Sequence, residues 1–329
     1  MSTLARVARL WTGTEWVNDA LMAIDDSGIR PARAGVAAGH LDGTVLPPLT
    51  DAHVHLGLAS PGGGVLARVL DLGWHAGLLS TLDSWPTTEV VWAGPFLTAP
   101  GGYPSTRPWA PDGSVRELSS ASAAAEVIDE LHRIGVAVIK VTLNSNAGPV
   151  LTEEVLRAVV TTAHGHGLQV VAHVEGHGEP QRAAVAGVDC FAHAPWTHLL
   201  DDDLRPMVGR VSWISTLDMH GRGRYGEDYE TALDNVRRFA ALGGTVIYGT
   251  DLGNAITTTD LNLREVAALR SAGITGEGLL RALTGTGLLP TWSRTATLLP
   301  ADVDEAHAAV EALPSSVPVN ASTIKERLR

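Results

Sequence analysis

Two histidines stand two residues apart in Thr50-Asp51-Ala52-His53-Val54-His55-Leu56, at the end of an apolar run. Side chains two apart on a strand leave it on the same side, so both imidazoles can face one point. Neutral imidazole is the commonest metal ligand among side chains. The chain has 13 histidines, so the pair carries weight only if other ligands exist where a fold could bring them to it. A second such pair, His164-Gly165-His166, serves as a control. It sits between a helical pattern and the next strand, where a helix C-terminal cap with favourable dipole placement is the plainer reading.

Lysine usage adds a second pointer. Only two of the 24 basic residues are lysines, Lys140 and Lys325. Lys325 lies in a polar tail. Lys140 ends the run Gly135-Val-Ala-Val-Ile139, where a charged amine is costly and burial lowers its pKa.

These residues need elements to position them. Strand-like runs occupy 45–55, 77–84, 90–98, 136–142, 168–173, 188–193, 211–216 and 245–250. Helical patterns occupy 64–74, 119–134, 152–164, 179–186, 201–207, 228–242 and 260–272. Ser119 or Ser120 and Thr152 are N-cap candidates, and glycines at 135, 167, 187 and 243 stop helices ahead of the next strand. Eight strands alternating with helices predict an α/β fold, a (β/α)8 TIM barrel over residues 46–287. Residues 1–45 and 288–329 read as strands, turns and a helical segment at 302–313, and together predict a small β-rich domain.

In such a barrel the C-terminal strand ends carry the active site. Those ends bring His53, His55, Lys140, His173, His193 and Asp251 to one mouth. This set resembles the amidohydrolase superfamily, in particular its imidazolonepropionase-like and prolidase-like branch. Leu46-Pro-Pro-Leu-Thr-Asp-Ala-His-Val-His55 resembles the family's first-strand signature, with Pro48 where glycine is usual. Gly187-Val-Asp-Cys-Phe-Ala-His193 and Gly249-Thr-Asp251 resemble its later strand motifs, and Asp26-Ser-Gly-Ile29 its small-domain hairpin. Gly101-Gly102-Tyr103 stands where many relatives have Gly-Gly-His. The C-terminal flank lacks the family's Gly-x-x-Ala-Asp-Leu pattern, so a reduced small domain is expected.

The resemblance implies two divalent metal ions, with zinc the default, and carbon dioxide held as a carbamate on Lys140. A carbamate anion bridging the ions offsets the repulsion of dications about 3.5–4 Å apart. His53, His55 and Asp251 would bind the more buried ion, and His173 and His193 the more exposed one. A shared hydroxide would attack, with Asp251 as general base and then acid. The implied activity is hydrolysis of a C–N bond in a small amide, cyclic amide or dipeptide-like substrate. Lactone or ester hydrolysis is the alternative, and a non-catalytic scaffold a further one that the intact ligand set opposes.

Substrate contacts are expected from the long loops. One offers Tyr103, Arg107 and Trp109, another His220, Arg222, Arg224 and Tyr225. The arginines suggest a substrate carboxylate, which guanidinium binds bidentately. Trp74, Trp85, Trp92 and Trp196 read as core, and His177 and His198 as solvated loop residues. A net charge of −12 argues against nucleic acid, whose phosphates need basic patches. No window approaches 18 uninterrupted apolar residues, and the N-terminal residues lack a signal-peptide core. The single cysteine, Cys190, excludes an intramolecular disulfide. A cytoplasmic protein with a small-molecule substrate and no membrane partner, able to form a homo-oligomer, is expected.

Overall fold

A computed structural model of the chain describes residues 2–59, 64–75, 87–254 and 260–329. The N-terminal flank forms β1 (Thr3–Trp11), β2 (Trp16–Asp25), β3 (Gly28–Ala32) and β4 (Gly39–Leu46). Short parallel strands and helices follow: β5 (Thr50–Val54), β6 (Arg68–Asp71), β7 (Glu89–Trp92), β8 (Phe96–Thr98), β9 (Val115–Glu117), α1 (Ala121–Arg133), β10 (Val138–Asn144) and α2 (Glu153–Gly165). Then come β11 (Gln169–Glu175), α3 (Glu179–Ala186), β12 (Cys190–Phe191), α4 (Leu204–Met207), β13 (Ser212–Ile214), α5 (Glu227–Ala241), β14 (Val246–Ile247), α6 (Leu263–Ser271) and α7 (Gly276–Leu283). The C-terminal flank supplies β15 (Thr295–Leu299), α8 (Ala306–Ala312), β16 (Val317–Asn320) and α9 (Ala321–Arg327).

The predicted α/β alternation is present, and its parallel strands curl into a half-barrel. They lie in two sheets, β14-β13-β12-β11-β10-β8-β9 and β5-β6-β7. Backbone bonds from Ala52 N to Tyr248 O (3.1 Å) and from His55 N to Leu252 O (2.7 Å) run between β5 and the stretch after β14. Alternation along the strands sorts the side chains. On β10, Ile139, Val141 and Leu143 join the large apolar core that includes α1 and α2. Val138 belongs instead to an inner cluster with Val171, Cys190, Ile214 and Ile247. Lys140 and His173 are each two residues beyond an inner-cluster member, so they sit above that plug.

Three expectations need correction. Residues 64–74 do not form a helix, because β6 lies there with all four residues buried. The spacing of Leu66, Val69 and Leu70 fits either structure, a known ambiguity of short apolar runs. The strand tolerates Arg68 because its guanidinium reaches Thr50 Oγ1, Pro290 O and Thr284 O. The run 45–55 is two strands, β4 and β5, separated by Pro47 and Pro48, which have no N–H for a ladder. The run 90–98 is likewise split into β7 and β8 at Gly94-Pro95. The strand expected at 77–84, with Trp85, lies outside the described residues.

Both flanks enter one sheet, ordered β16-β15-β4-β1-β2-β3. β4 pairs in parallel with β1 and antiparallel with β15. Met22, Ile24, Leu41, Val45, Leu298 and Val319 fill its core. The C-terminal flank is therefore fuller than its missing motif suggested, with two strands. Among the described residues, no helix is long and apolar enough to cross a membrane.

Candidate metal centre

The six residues singled out by type and spacing all line one cavity of about 400 Å3. His53 lies in β5 with His55 directly after it, Lys140 in β10 and His173 in β11, while His193 and Asp251 follow β12 and β14. All six are buried.

Hydrogen bonds fix the imidazoles. His53 Nδ1 is 2.8 Å from Ala192 O, and His55 Nδ1 is 3.2 Å from Gly73 O. A carbonyl only accepts, so each Nδ1 carries the proton and each Nε2 keeps its lone pair. The two Nε2 atoms lie 3.2 Å apart, and Asp251 Oδ1 lies 3.3 Å from both. Three acceptors thus face one another with no proton between them, an arrangement that calls for a cation. Ligands about 2.0–2.1 Å from a tetrahedral zinc are separated by about 3.3 Å, which the observed edges match. His53, His193 and Asp251 also group with one donor atom each, all within 4.8 Å. His193 Nδ1 is 2.9 Å from Thr216 Oγ1, and His173 Nε2 is 3.2 Å from Glu175 Oε2.

Electrostatics suit this use. Burial pushes His53, His173 and His193 below the ordinary histidine value, so they are neutral donors at pH 7. Burial alone would raise the Asp251 carboxyl, but the imidazoles of His53, His55 and His193 around it hold it well below the usual carboxylate range. Burial brings the Lys140 amine down to about 7. A good fraction of it is then neutral and nucleophilic at neutral pH. Among the described residues its Nζ has no hydrogen-bond or ion-pair partner.

The backbone is bent to place these groups. Asp251 has φ 56° and Thr216 φ 43°, left-handed conformations that cost non-glycine residues free energy. Asp251 Oδ2 accepts from Asn254 Nδ2 at 3.0 Å. Gly249 is required by close approach, since a Cβ there would meet Ile214 Cγ2 at 2.3 Å. Asp51 ties the first strand to the last: its carboxylate accepts from His53 N, Thr250 N and Thr250 Oγ1 at 3.0, 3.1 and 2.6 Å. Asp71 accepts from Leu56 N and Gly73 N and so holds the turn that presents His55.

Of the expected substrate contacts, Tyr103 and Trp109 line the cavity. Arg107, His220, Arg222, Arg224 and Tyr225 are not among its lining residues. Arg222 is tied to Asn254 O at 2.8 Å, and Tyr225 donates to Asp218 Oδ1 at 3.1 Å. Arg107 lies over the Tyr103 ring, 5.5 Å from its centroid, and Arg224 is exposed. His220 packs against Trp196 at 5.1 Å. Trp196, read as core, lines the cavity, as do Phe96 and Glu175. Glu175 was legible as the residue two after His173 on the same strand face; the others are single aromatics without spacing signals. His177 and His198 stack on each other at 4.4 Å away from the lining set. The control pair is engaged elsewhere, His164 with Asp189 and His166 with Asp129.

No family model matches the chain. Uncharacterized proteins of Mycobacterium tuberculosis and Mycobacterium bovis are 27% identical over 279 residues, covering 73% of this chain and 72% of theirs. A Xaa-Pro dipeptidase crystallised with methionine in its active site superposes with a TM-score of 0.70 at 17% identity, covering 98% of both chains. A putative prolidase from Bifidobacterium longum gives 0.69 at 20% identity, over 97% of this chain and 93% of that one. Ochratoxinase from A. niger gives 0.72 at 15%, over 97% and 95%. The chain therefore has the fold shared by prolidase-like and amidohydrolase structures.

Proposed function

We propose that this protein is a metal-dependent hydrolase of the amidohydrolase superfamily that cleaves a C–N bond in a small amide, cyclic amide or dipeptide-like substrate. The observation that carries this reading is the facing of His53 Nε2, His55 Nε2 and Asp251 Oδ1 at 3.2–3.3 Å, without a shared proton. The structural relatives support it, since several are hydrolases by name. The reading includes a division of the chain into a complete eight-stranded barrel over 46–287 and a small domain from 1–45 with 288–329. The bonds between β5 and the stretch after β14 favour that closure.

His53, His55 and Asp251 would hold one divalent ion, and His173 and His193 a second. Lys140 would sit between them as a carbamate: its neutral amine adds carbon dioxide and releases one proton. Imidazole and carboxylate donors suit zinc, and also iron or manganese. When bound, such ions acidify water and polarise a carbonyl oxygen.

The chain's own groups supply the rest. Ala192 O and Gly73 O hold the imidazoles of His53 and His55 in one tautomer and one orientation. The Asp251 carboxylate, ionised and steadied by Asn254, takes the proton of the attacking water and returns it to the departing nitrogen. Phe96, Trp109 and Trp196 give the cavity apolar walls that exclude bulk water. Water adds across the C–N bond, yielding a carboxylate and an amine.

Metal analysis of purified protein tests the premise. About two transition-metal ions per chain are expected, and clearly less than one overturns the reading. Lys140→Ala should lower the stoichiometry to about one ion or fewer and reduce turnover by at least about 1000-fold, with partial recovery in added short carboxylic acids. Full activity in that variant refutes the carbamate. A screen of N-acyl amino acids, dipeptides, cyclic amides and lactones identifies the scissile bond, and turnover of lactones alone replaces the amide assignment.

A further inference from the structure

Glu175 is not among the donors assigned above, yet its carboxylate is on the cavity wall. It extends from β11 two residues beyond His173, on the same strand face. Its Oε2 accepts from His173 Nε2 at 3.2 Å and from Asn144 Nδ2 at 2.7 Å, and a quarter of the side chain remains exposed. A glutamate carboxyl is ordinarily ionised at neutral pH, so this part of the wall is anionic.

Aromatic rings line the same cavity and lie around the neighbouring His173 ring. The Tyr103 ring centroid is 5.4 Å from that of His173, and the Trp196 centroid 5.8 Å. Trp109 stands edge-on to Tyr103 at 6.2 Å. Among the described lining residues there is no arginine to receive an anion. Arg222 is committed to Asn254, and Arg107 lies against the Tyr103 ring. An ionised carboxylate within an aromatic wall is the chemistry that selects cations, because ring faces and carboxylate both attract positive charge.

We infer that the part of the substrate meeting the Glu175 wall is cationic, an ammonium group seated among Tyr103, Trp196 and Glu175. This rests on the hydrolase reading for its statement that a substrate enters the cavity, and it names the class of that substrate. It also redirects the expectation of a carboxylate held by arginines. A role for Glu175 confined to orienting His173 would give no preference by ligand charge, so charge preference separates the two.

The test uses the full-length, metal-loaded protein and three probes of similar shape: benzyltrimethylammonium, its neutral carbon isostere neopentylbenzene, and phenylacetate. Equilibrium binding should favour the ammonium over the neutral probe at least about tenfold, or about 1.4 kcal/mol, with phenylacetate weaker than the ammonium. In Glu175→Gln the ratio of ammonium to neutral affinity should fall to about one. Added salt provides a second readout on the unaltered protein, weakening the ammonium and leaving the neutral probe unchanged. Equal or weaker binding of the ammonium, a ratio retained in Glu175→Gln, or ammonium affinity insensitive to salt overturns the inference. Amide substrates bearing the same three groups separate it from the hydrolase reading. Cation preference without turnover defeats only the hydrolase, and turnover without cation preference defeats only the ammonium site.

Discussion

Glu265 is fully buried in α6, and its carboxylate accepts from the backbone N–H groups of Leu217 and Asp218 at 3.0 and 2.6 Å. Burial raises its pKa from the ordinary 4.5 to about 7, against the opposing pull of those bonds. The folded state therefore holds this proton where the unfolded chain has lost it, between about pH 4.5 and 7. Stability from this group is present at the acid end of that window and declines as pH rises through it, by at most on the order of 3 kcal/mol. Glu265→Gln cannot ionise, so urea unfolding at either end of the window should show a smaller pH difference than the unaltered protein. At this scale the sequence was informative where residue type and place were both unusual. His53 and His55 stood out by spacing, and Lys140 by being a lysine in an apolar strand of an arginine-rich chain. Asp51, Asp71 and Glu265 were not legible: a carboxylate that accepts from backbone N–H groups distant in sequence looks like any surface acid until the chain is folded.

Helix caps were readable because they are local. Ser120 and Thr152 accept from Ala123 N and Val155 N as the first turns of α1 and α2 require. Asn262 does more than cap. Its Oδ1 accepts from Arg264 N and Glu265 N, and its Nδ2 donates to Asp218 Oδ2 in the turn that follows β13. Asn262→Ala should therefore destabilise the protein by about 2 kcal/mol, against about 1 kcal/mol for Thr152→Ala, which loses a cap alone. Denaturant titration of both variants checks the order. Equal losses would mean that the Asp218 contact contributes nothing. The elements missed or misread were those whose formation depends on neighbours. β9 is three residues long, β6 reads as a helix, and α7 lacks a strong boundary signal.

At the scale of the whole molecule, the flanks share one sheet. Its pairing could not be read from the sequence, because β15 meets β4 only after the chain between them has folded. Leu298 and Val319 help cover Leu41 and Val45 in the same apolar cluster. Arg68 adds a buried tie from β6 to Thr284 O and Pro290 O. Removal of residues 288–329 should uncover this cluster and take from the Arg68 guanidinium its bond to Pro290 O, giving a chain without cooperative unfolding. Circular dichroism during heating checks this; a sharp transition at the unaltered temperature would show that the flanks are separable.

The position of β4 has a consequence in time. It leads through Pro47 and Pro48 into β5, which carries His53, yet one of its edges stays open until residues 295–299 have left the ribosome. During synthesis the nascent chain therefore presents an unpaired edge beside the strand that leads to two of the six candidate ligands, His53 and His55. Contacts between such distant stretches are slow to form, and an open edge can pair with another chain meanwhile. Productive maturation depends on a molecular race between closure by β15 and aggregation.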